Sequence, residues 1–170
     1  MRHAWLLLPT LLLVACLPAL SPGVSFRVDG ARFTAPPGWD VRIGATDHAQ
    51  GLATVALLAN QPIDPDCQLP ERCATPIDEL APADVLVLWV SDNCLPDCQL
   101  PDKGRMLVGG REAARITANV ECGLGPAAEM VMVAVTPQRT DRISACYGGD
   151  EPAARAAFDG LLASIAWTVP

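Results

Sequence analysis

Six cysteines between residues 67 and 146 constrain the fold of this chain more than any other feature. An even number of cysteines in an exported protein favours structural disulfides, so we expect three of them. They tie loops together and supplement the hydrophobic core of a single domain. The six are Cys67, Cys73, Cys94, Cys98, Cys122 and Cys146.

The hexapeptide Pro-Asp-Cys-Gln-Leu-Pro occurs twice, at residues 65–70 and 96–101. Proline is excluded from helix interiors and central strands, so both copies predict loops. We expect each loop to close on itself, with the pairs Cys67–Cys73, Cys94–Cys98 and Cys122–Cys146. The alternative joins the two loops through Cys67–Cys98 and Cys73–Cys94, and the spacing leaves both arrangements open.

The amino-terminal segment predicts export from the cytoplasm. A basic start at Arg2 precedes a short apolar run, which is the layout of a secretory signal. The tetrapeptide Leu13-Val14-Ala15-Cys16 resembles the lipobox of bacterial lipoproteins, which implies cleavage before Cys16 and acylation of that residue. Cleavage after Ser21 is the alternative, but Pro22 disfavours it. The later sequence contains no uncharged stretch of the ~20 residues that span a bilayer.

The lipobox resemblance divides the chain into three parts: residues 1–15 as signal peptide, 16–23 as lipidated cysteine and linker, and 24–170 as one domain. It implies that membrane lipid is a partner through acylated Cys16. It also implies that the domain lies on the extracytoplasmic face of the bacterial cell envelope. The linker of seven residues after Cys16 reaches ~25 Å at most, so we expect the domain close to the membrane.

Acidic residues are concentrated in residues 61–102, which hold nine Asp or Glu and one basic residue, Arg72. Nucleic-acid binding is disfavoured, because it depends on basic residues that neutralise phosphates. The acidic loops are a candidate surface for an envelope protein partner. The four residues that we assign to this surface are Asp64, Asp66, Asp97 and Asp102.

The apolar pattern predicts an α+β fold, an antiparallel sheet with helix packed against it. Alternation on both sides of Asp29-Gly30 predicts a β-hairpin. Residues 76–81 are expected to form a short helix, and Pro152 to open a closing helix over residues 153–165. Further strands are expected at residues 39–43, 52–59, 85–90, 112–120, 130–135 and 142–146.

Three short segments resemble small PsbP-like and LpqN-type bacterial lipoprotein domains. They are residues 33–39 with the motif Pro-Pro-Gly-Trp, the glycine turn and strand at 108–115, and the closing helix at 158–165. The resemblance implies a helix–sheet–helix sandwich and no shared active site. The cysteine-bearing acidic loops depart from the family pattern.

We find no catalytic motif in the sequence and expect no cofactor. The predicted function is therefore a non-enzymatic binding or accessory domain. Two alternatives remain: an envelope enzyme that uses paired carboxylates, and a metal or redox protein that uses its thiols.

Overall fold

The structure is a computed structural model of the chain. Within the described ranges, the protein forms two antiparallel β-sheets and one α-helix, and about half of it is strand. The described residues are 23–28, 30–44, 52–67, 69, 76–94, 96–117, 127–149 and 151–168. Cys16, Cys73 and Cys122 lie outside these ranges.

The secondary structure follows the apolar pattern of the sequence closely in the strands. Interior strands are rich in Val, Leu, Ile and Ala, which favour a pleated and buried surface. In chain order the elements are β1 Val24–Val28, β2 Ala31–Ala35, β3 Asp40–Ile43, β4 Leu52–Ala59, β5 Val85–Asn93, β6 Arg105–Val108, β7 Arg111–Ile116, β8 Ala127–Thr136, β9 Arg139–Tyr147, α1 Glu151–Ser164 and β10 Ala166–Trp167.

The larger sheet has seven strands in the order β3-β4-β5-β9-β8-β7-β6, so β3 and β6 form its edges. The smaller sheet has the order β1-β2-β10. The predicted hairpin is confirmed, because β1 pairs with β2 and Gly30 adopts a φ of 80°. The strand prediction at residues 52–59 and the closing helix are also confirmed.

One face of the larger sheet is covered by α1 and by the smaller sheet. Trp89 of β5 and Phe33 of β2 are fully buried between these layers, with ring centroids 5.7 Å apart. Phe158 and Leu161 of α1 are buried against the same core. These residues form the main hydrophobic core.

The opposite face of the larger sheet is covered at one end by the loop that joins β4 to β5. Ile63, Ile77 and Leu80 of this loop form a second apolar cluster with Leu86 and Cys146. Beyond this cluster the sheet face is only partly covered by described residues, and Leu88 is 38% exposed.

The predicted fold class, an α+β helix–sheet–helix sandwich, is wrong: the protein is mostly β, with one helix in its described part. The helix expected at residues 76–81 does not form. The carbonyl of Pro76 accepts a hydrogen bond from the Asp64 amide, and the carbonyl of Glu79 accepts one from Gln61 Nε2. A helix of six residues is too short to be stable by itself. In this loop the carbonyl groups of Pro76 and Glu79 instead accept hydrogen bonds from residues on the other side of the loop.

Candidate functional site

The cysteines of the described residues are disulfide-bonded. Cys94 and Cys98 form a disulfide with their Cα atoms 5.1 Å apart, so this local pair is confirmed. The same bond makes the alternative Cys67–Cys98 and Cys73–Cys94 pairing wrong. Cys67 and Cys146 are also disulfide-bonded. The pairings Cys67–Cys73 and Cys122–Cys146 stay predictions, since one partner in each lies outside the described residues.

The four aspartates of the predicted acidic surface lie in two separate places. Asp64 and Asp66 belong to the loop before β5, whereas Asp97 and Asp102 belong to the loop after it. The nine residues of β5 separate the two loops by about 26 Å, at ~3.3 Å per residue. The structure therefore divides the predicted surface into two pairs, at opposite ends of the larger sheet.

Asp97 and Asp102 lie beside other polar groups at their end of the sheet. Asp97 Oδ1 accepts a hydrogen bond from Gln138 Nε2 at 3.2 Å. Asp102 Oδ1 lies 3.7 Å from Arg105 Nη2, and its side chain is fully exposed. The loop is held in place by the Cys94 and Cys98 amides, which donate to the carbonyls of Gln138 and Pro137 in the β8–β9 turn.

Asp141 of β9 is a buried carboxylate that the sequence patterns did not single out. It accepts hydrogen bonds from Trp89 Nε1 at 2.8 Å and from Ser91 Oγ at 3.0 Å, and it pairs with Arg139 at 3.1 Å. Burial raises the pKa of Asp141 above its ordinary value, against the opposing effect of Arg139. In a strand every second side chain points toward the core, and this alternation along β9 could have identified Asp141 as a buried residue.

Glu129 of β8 is the second buried acid, and it lies within a cluster on the helix-covered face. It accepts a hydrogen bond from Tyr147, and Arg115 and Arg155 lie 3.8 and 3.5 Å from its carboxylate. Arg115 also pairs with Asp159 of α1. Burial raises the pKa of Tyr147 well above its ordinary value, and the hydrogen bond to Glu129 adds to this effect. The cluster ties α1 to the sheet.

The two buried acids are too far apart to act as a glycosidase pair. Glu129 lies opposite Ala145 in the β8–β9 register, and Asp141 precedes Ala145 by four residues in β9. This places them about 13 Å apart along the strand direction. Paired carboxylates in such enzymes are ~5–9.5 Å apart. Each acid also contacts arginine, which is the arrangement expected of structural ion pairs.

Metal chemistry gains no support from the described residues either. Among them, no three His, Cys, Asp or Glu side chains are close enough to hold a metal ion together. If all six cysteines form disulfides, as we predict, none of them is available as a thiolate ligand for a metal ion. Across the described ranges, no helix is both long and apolar enough to cross a bilayer.

Three grooves meet at β6, and all of them are lined by Arg105. The helix-side groove, of about 660 Å³, lies between β6 and α1. The sheet-side groove, of about 630 Å³, lies along β6 and β7. The loop groove, of about 340 Å³, lies against the Cys94–Cys98 loop and includes Asp102 in its wall. This concentration of concave surface makes the β6 edge the candidate site.

The helix-side groove is lined by both apolar and charged side chains. Met106 of β6 and Leu162 and Ala163 of α1 contribute to its lining, together with Arg105 and the Arg115–Asp159 ion pair. Leu107 is 67% exposed, more than any other large hydrophobic side chain that the structure describes. Exposed apolar side chains that border grooves are typical of binding surfaces.

The three grooves went unnoticed at the level of sequence because β6 carries a weak strand signal. Its four residues, Arg-Met-Leu-Val, lack a clear alternation of polar and apolar side chains. The following Gly109-Gly110 indicated a turn, and the structure gives both glycines a positive φ. The short strand is defined by this turn and by its pairing with β7 rather than by its own composition.

Comparison with known proteins found no matching family model, and no curated protein matches this chain. The functional proposal therefore rests on the geometry of the β6 edge and on the amino-terminal sequence.

Proposed function

We propose that this chain is a lipid-anchored, non-enzymatic binding module of the bacterial cell envelope, with an envelope protein as its partner. Acylated Cys16 would hold it at the extracytoplasmic face of the membrane. The observation that carries the proposal is the convergence of three grooves on the β6 edge, where all three are lined by Arg105 and two of them by exposed Leu107. A concave surface that combines apolar side chains with a small number of charged groups is suited to binding.

The position of the amino terminus supports this arrangement. The chain enters the domain at Val24, which pairs with Ala35 in the smaller sheet. Within that sheet β1 and β10 are separated by β2, and it is β10 that contacts β6, through Trp167 Nε1 and the carbonyl of Val108. The linker from acylated Cys16 would therefore lead into β1, whereas the strand of the smaller sheet that is hydrogen-bonded to the end of β6 is β10.

The acidic loop after β5 adds a charged border to the site. Asp102 lines the loop groove, and Asp97 lies in the short segment that the Cys94–Cys98 disulfide closes. Two exposed carboxylates beside a groove favour a partner that presents basic residues next to its apolar ones. The pair Asp64 and Asp66 lies at the other end of the sheet, so it provides a matched control.

Charge reversal tests this proposal on the full-length chain in the membrane. We expect Asp97→Lys with Asp102→Lys to reduce chemical cross-linking of the envelope partner several-fold, and Asp64→Lys with Asp66→Lys to leave it unchanged. If only the double change at Asp64 and Asp66 abolishes cross-linking of the partner, the binding site lies at the other end of the larger sheet. If neither double change affects any cross-linked species, the acidic border has no role and the proposal fails.

A further inference from the structure

We infer that β6 is a strand-addition site, at which an extended segment of the partner protein pairs with the open edge of the larger sheet. This inference rests on the proposed binding function and specifies how the partner is held. β6 pairs with β7 on one side, and within the described ranges no strand pairs with its other side. Strand addition supplies affinity through main-chain hydrogen bonds and specificity through pockets for alternate side chains.

The hydrogen-bond phase of the β6–β7 hairpin shows which backbone groups are available. In an antiparallel pair, hydrogen-bonded and non-hydrogen-bonded residue pairs alternate. The Arg115 amide donates to the carbonyl of Gly104 at 2.9 Å, so this pair is of the bonded type. Met106 and Val108 follow the same phase. The amide and carbonyl groups of Arg105 and Leu107 therefore point outward, toward an added strand.

Both ends of β6 are fixed by close packing, which keeps this edge in place before a partner arrives. Gly104 has a φ of 72°, and a Cβ at this position would lie 2.1 Å from the carbonyl oxygen of Arg115. At the other end, the indole of Trp167 donates to the carbonyl of Val108 at 3.0 Å. A rigid edge loses little conformational entropy on binding, which favours association.

The two edges of the larger sheet differ in their protection. β3 carries Asp40 and Arg42, which pair with each other and both bond to the backbone of Ile63 in the adjacent loop. Charged residues on an edge strand discourage pairing with another chain. At β6 the guanidinium of Arg105 instead donates to the carbonyl of Leu100, so it is drawn toward the loop. The backbone of Leu107 lacks such protection.

The walls of the grooves specify the partner segment. Side chains of an added strand alternate between the two faces of the sheet. Those on one face would enter the helix-side groove, where Met106, Leu162 and Ala163 favour an apolar residue. Those on the other face would lie near Leu107 and Glu112 in the open sheet-side groove, where polar or basic residues are accommodated. The partner segment is therefore extended, with alternating apolar and polar residues.

The test separates backbone pairing from side-chain contact. A photo-reactive amino acid replaces Glu112, opposite Leu107 in the hairpin, in the full-length chain in its membrane. Leu107→Pro removes one outward amide, and proline is tolerated at edge positions of this kind. We expect Leu107→Pro to reduce the cross-linked adduct about tenfold and Leu107→Ala to reduce it about threefold, since alanine keeps the main-chain bonds.

Hydrogen exchange on the unsubstituted chain provides a second measurement that does not depend on the proline variant folding. In the cross-linked complex, the amides of Arg105 and Leu107 should exchange more slowly than in the free protein. An adduct that persists in Leu107→Pro, or a complex with unprotected amides, overturns strand addition but leaves the binding function intact. The absence of any adduct, together with no effect of charge reversal at Asp97 and Asp102, would reject both.

Discussion

Asp141 illustrates how single residues connect the interior of this protein to the loop beside the candidate site. Its carboxylate is fully buried and is bonded to side chains from β5 and β9. Its neighbour Thr140 has its hydroxyl 3.7 Å from Cys94 Sγ, in the disulfide-closed loop. Thr140 therefore connects β9, the strand that carries Asp141, to Cys94, the first residue of the loop.

Replacing Asp141 by Asn should destabilise the protein by about 2–3 kcal/mol, because an amide NH₂ would replace an oxygen that accepts hydrogen bonds from the buried Trp89 and Ser91 side chains. Asp92→Asn is the matched control. Asp92 pairs with Arg142 at 3.2 Å, but both side chains are more than one-third exposed, so its loss should be below about 1 kcal/mol. Urea unfolding of the two variants measures the difference. Equal losses would show that burial does not govern the Asp141 pair.

The raised pKa of Asp141 predicts a pH dependence with a definite sign. The folded protein binds this proton more tightly than the unfolded chain, whose pKa is near 3.8. The contribution of the group to stability is therefore complete below pH 3.8, and it declines as the pH rises through the folded pKa. Urea unfolding between pH 3 and 8 should show this decline in the native chain relative to Asp141→Asn. An increase across this range would contradict the direction of the shift.

At the scale of secondary-structure elements, the strength of the apolar signal decided what could be predicted. β4 is an eight-residue apolar run and was placed correctly, whereas β6 and β10 are short and were not predicted. The expected helix at residues 76–81 failed because its carbonyls bond across a loop. Such tertiary bonds are invisible to local patterns. The fold class was wrong because the described residues form two antiparallel sheets with a single helix, rather than one sheet between helices.

Gly104 should be more sensitive than Gly110, although both have a positive φ. A Cβ at Gly104 would collide with the Arg115 backbone, whereas one at Gly110 would meet open space. We expect Gly110→Ala to cost about 1–2 kcal/mol through backbone strain alone, and Gly104→Ala to cost more. Thermal unfolding and amide exchange at Met106 measure the two effects. Similar losses in both variants would mean that the Arg115 strand shifts at little cost.

At the scale of the whole molecule, the candidate site was only partly accessible to sequence analysis. The acidic residues were identified, but whether four aspartates share a surface depends on which ends of β5 their loops occupy. Spacing along the chain does not contain this information, because it depends on strand pairing. The helix-side groove likewise exists only once α1 packs on the sheet and brings Leu162 and Met106 to the same groove.

Cys16→Ser should move the protein from the membrane fraction to the soluble fraction, because serine cannot receive the thioether-linked lipid. Ser21→Ala, a few residues further on, should leave it in the membrane. Fractionation followed by the intact mass of the extracted chain, alkylated without reductant, measures both lipid addition and free thiols. Membrane retention of Cys16→Ser would reject lipidation at this residue, and alkylation of the domain cysteines would reject three structural disulfides.

The unequal edges of the larger sheet also set a limit on stoichiometry. A sheet with two open edges can polymerise, since each copy offers both a donor and an acceptor strand. Here the β3 edge carries the charged side chains of Asp40 and Arg42, which are bonded to the backbone of Ile63, and such an edge disfavours growth in that direction. Pairing through β6 would therefore terminate after a single added strand. Molecules that pair in this way would form discrete one-to-one complexes rather than fibres.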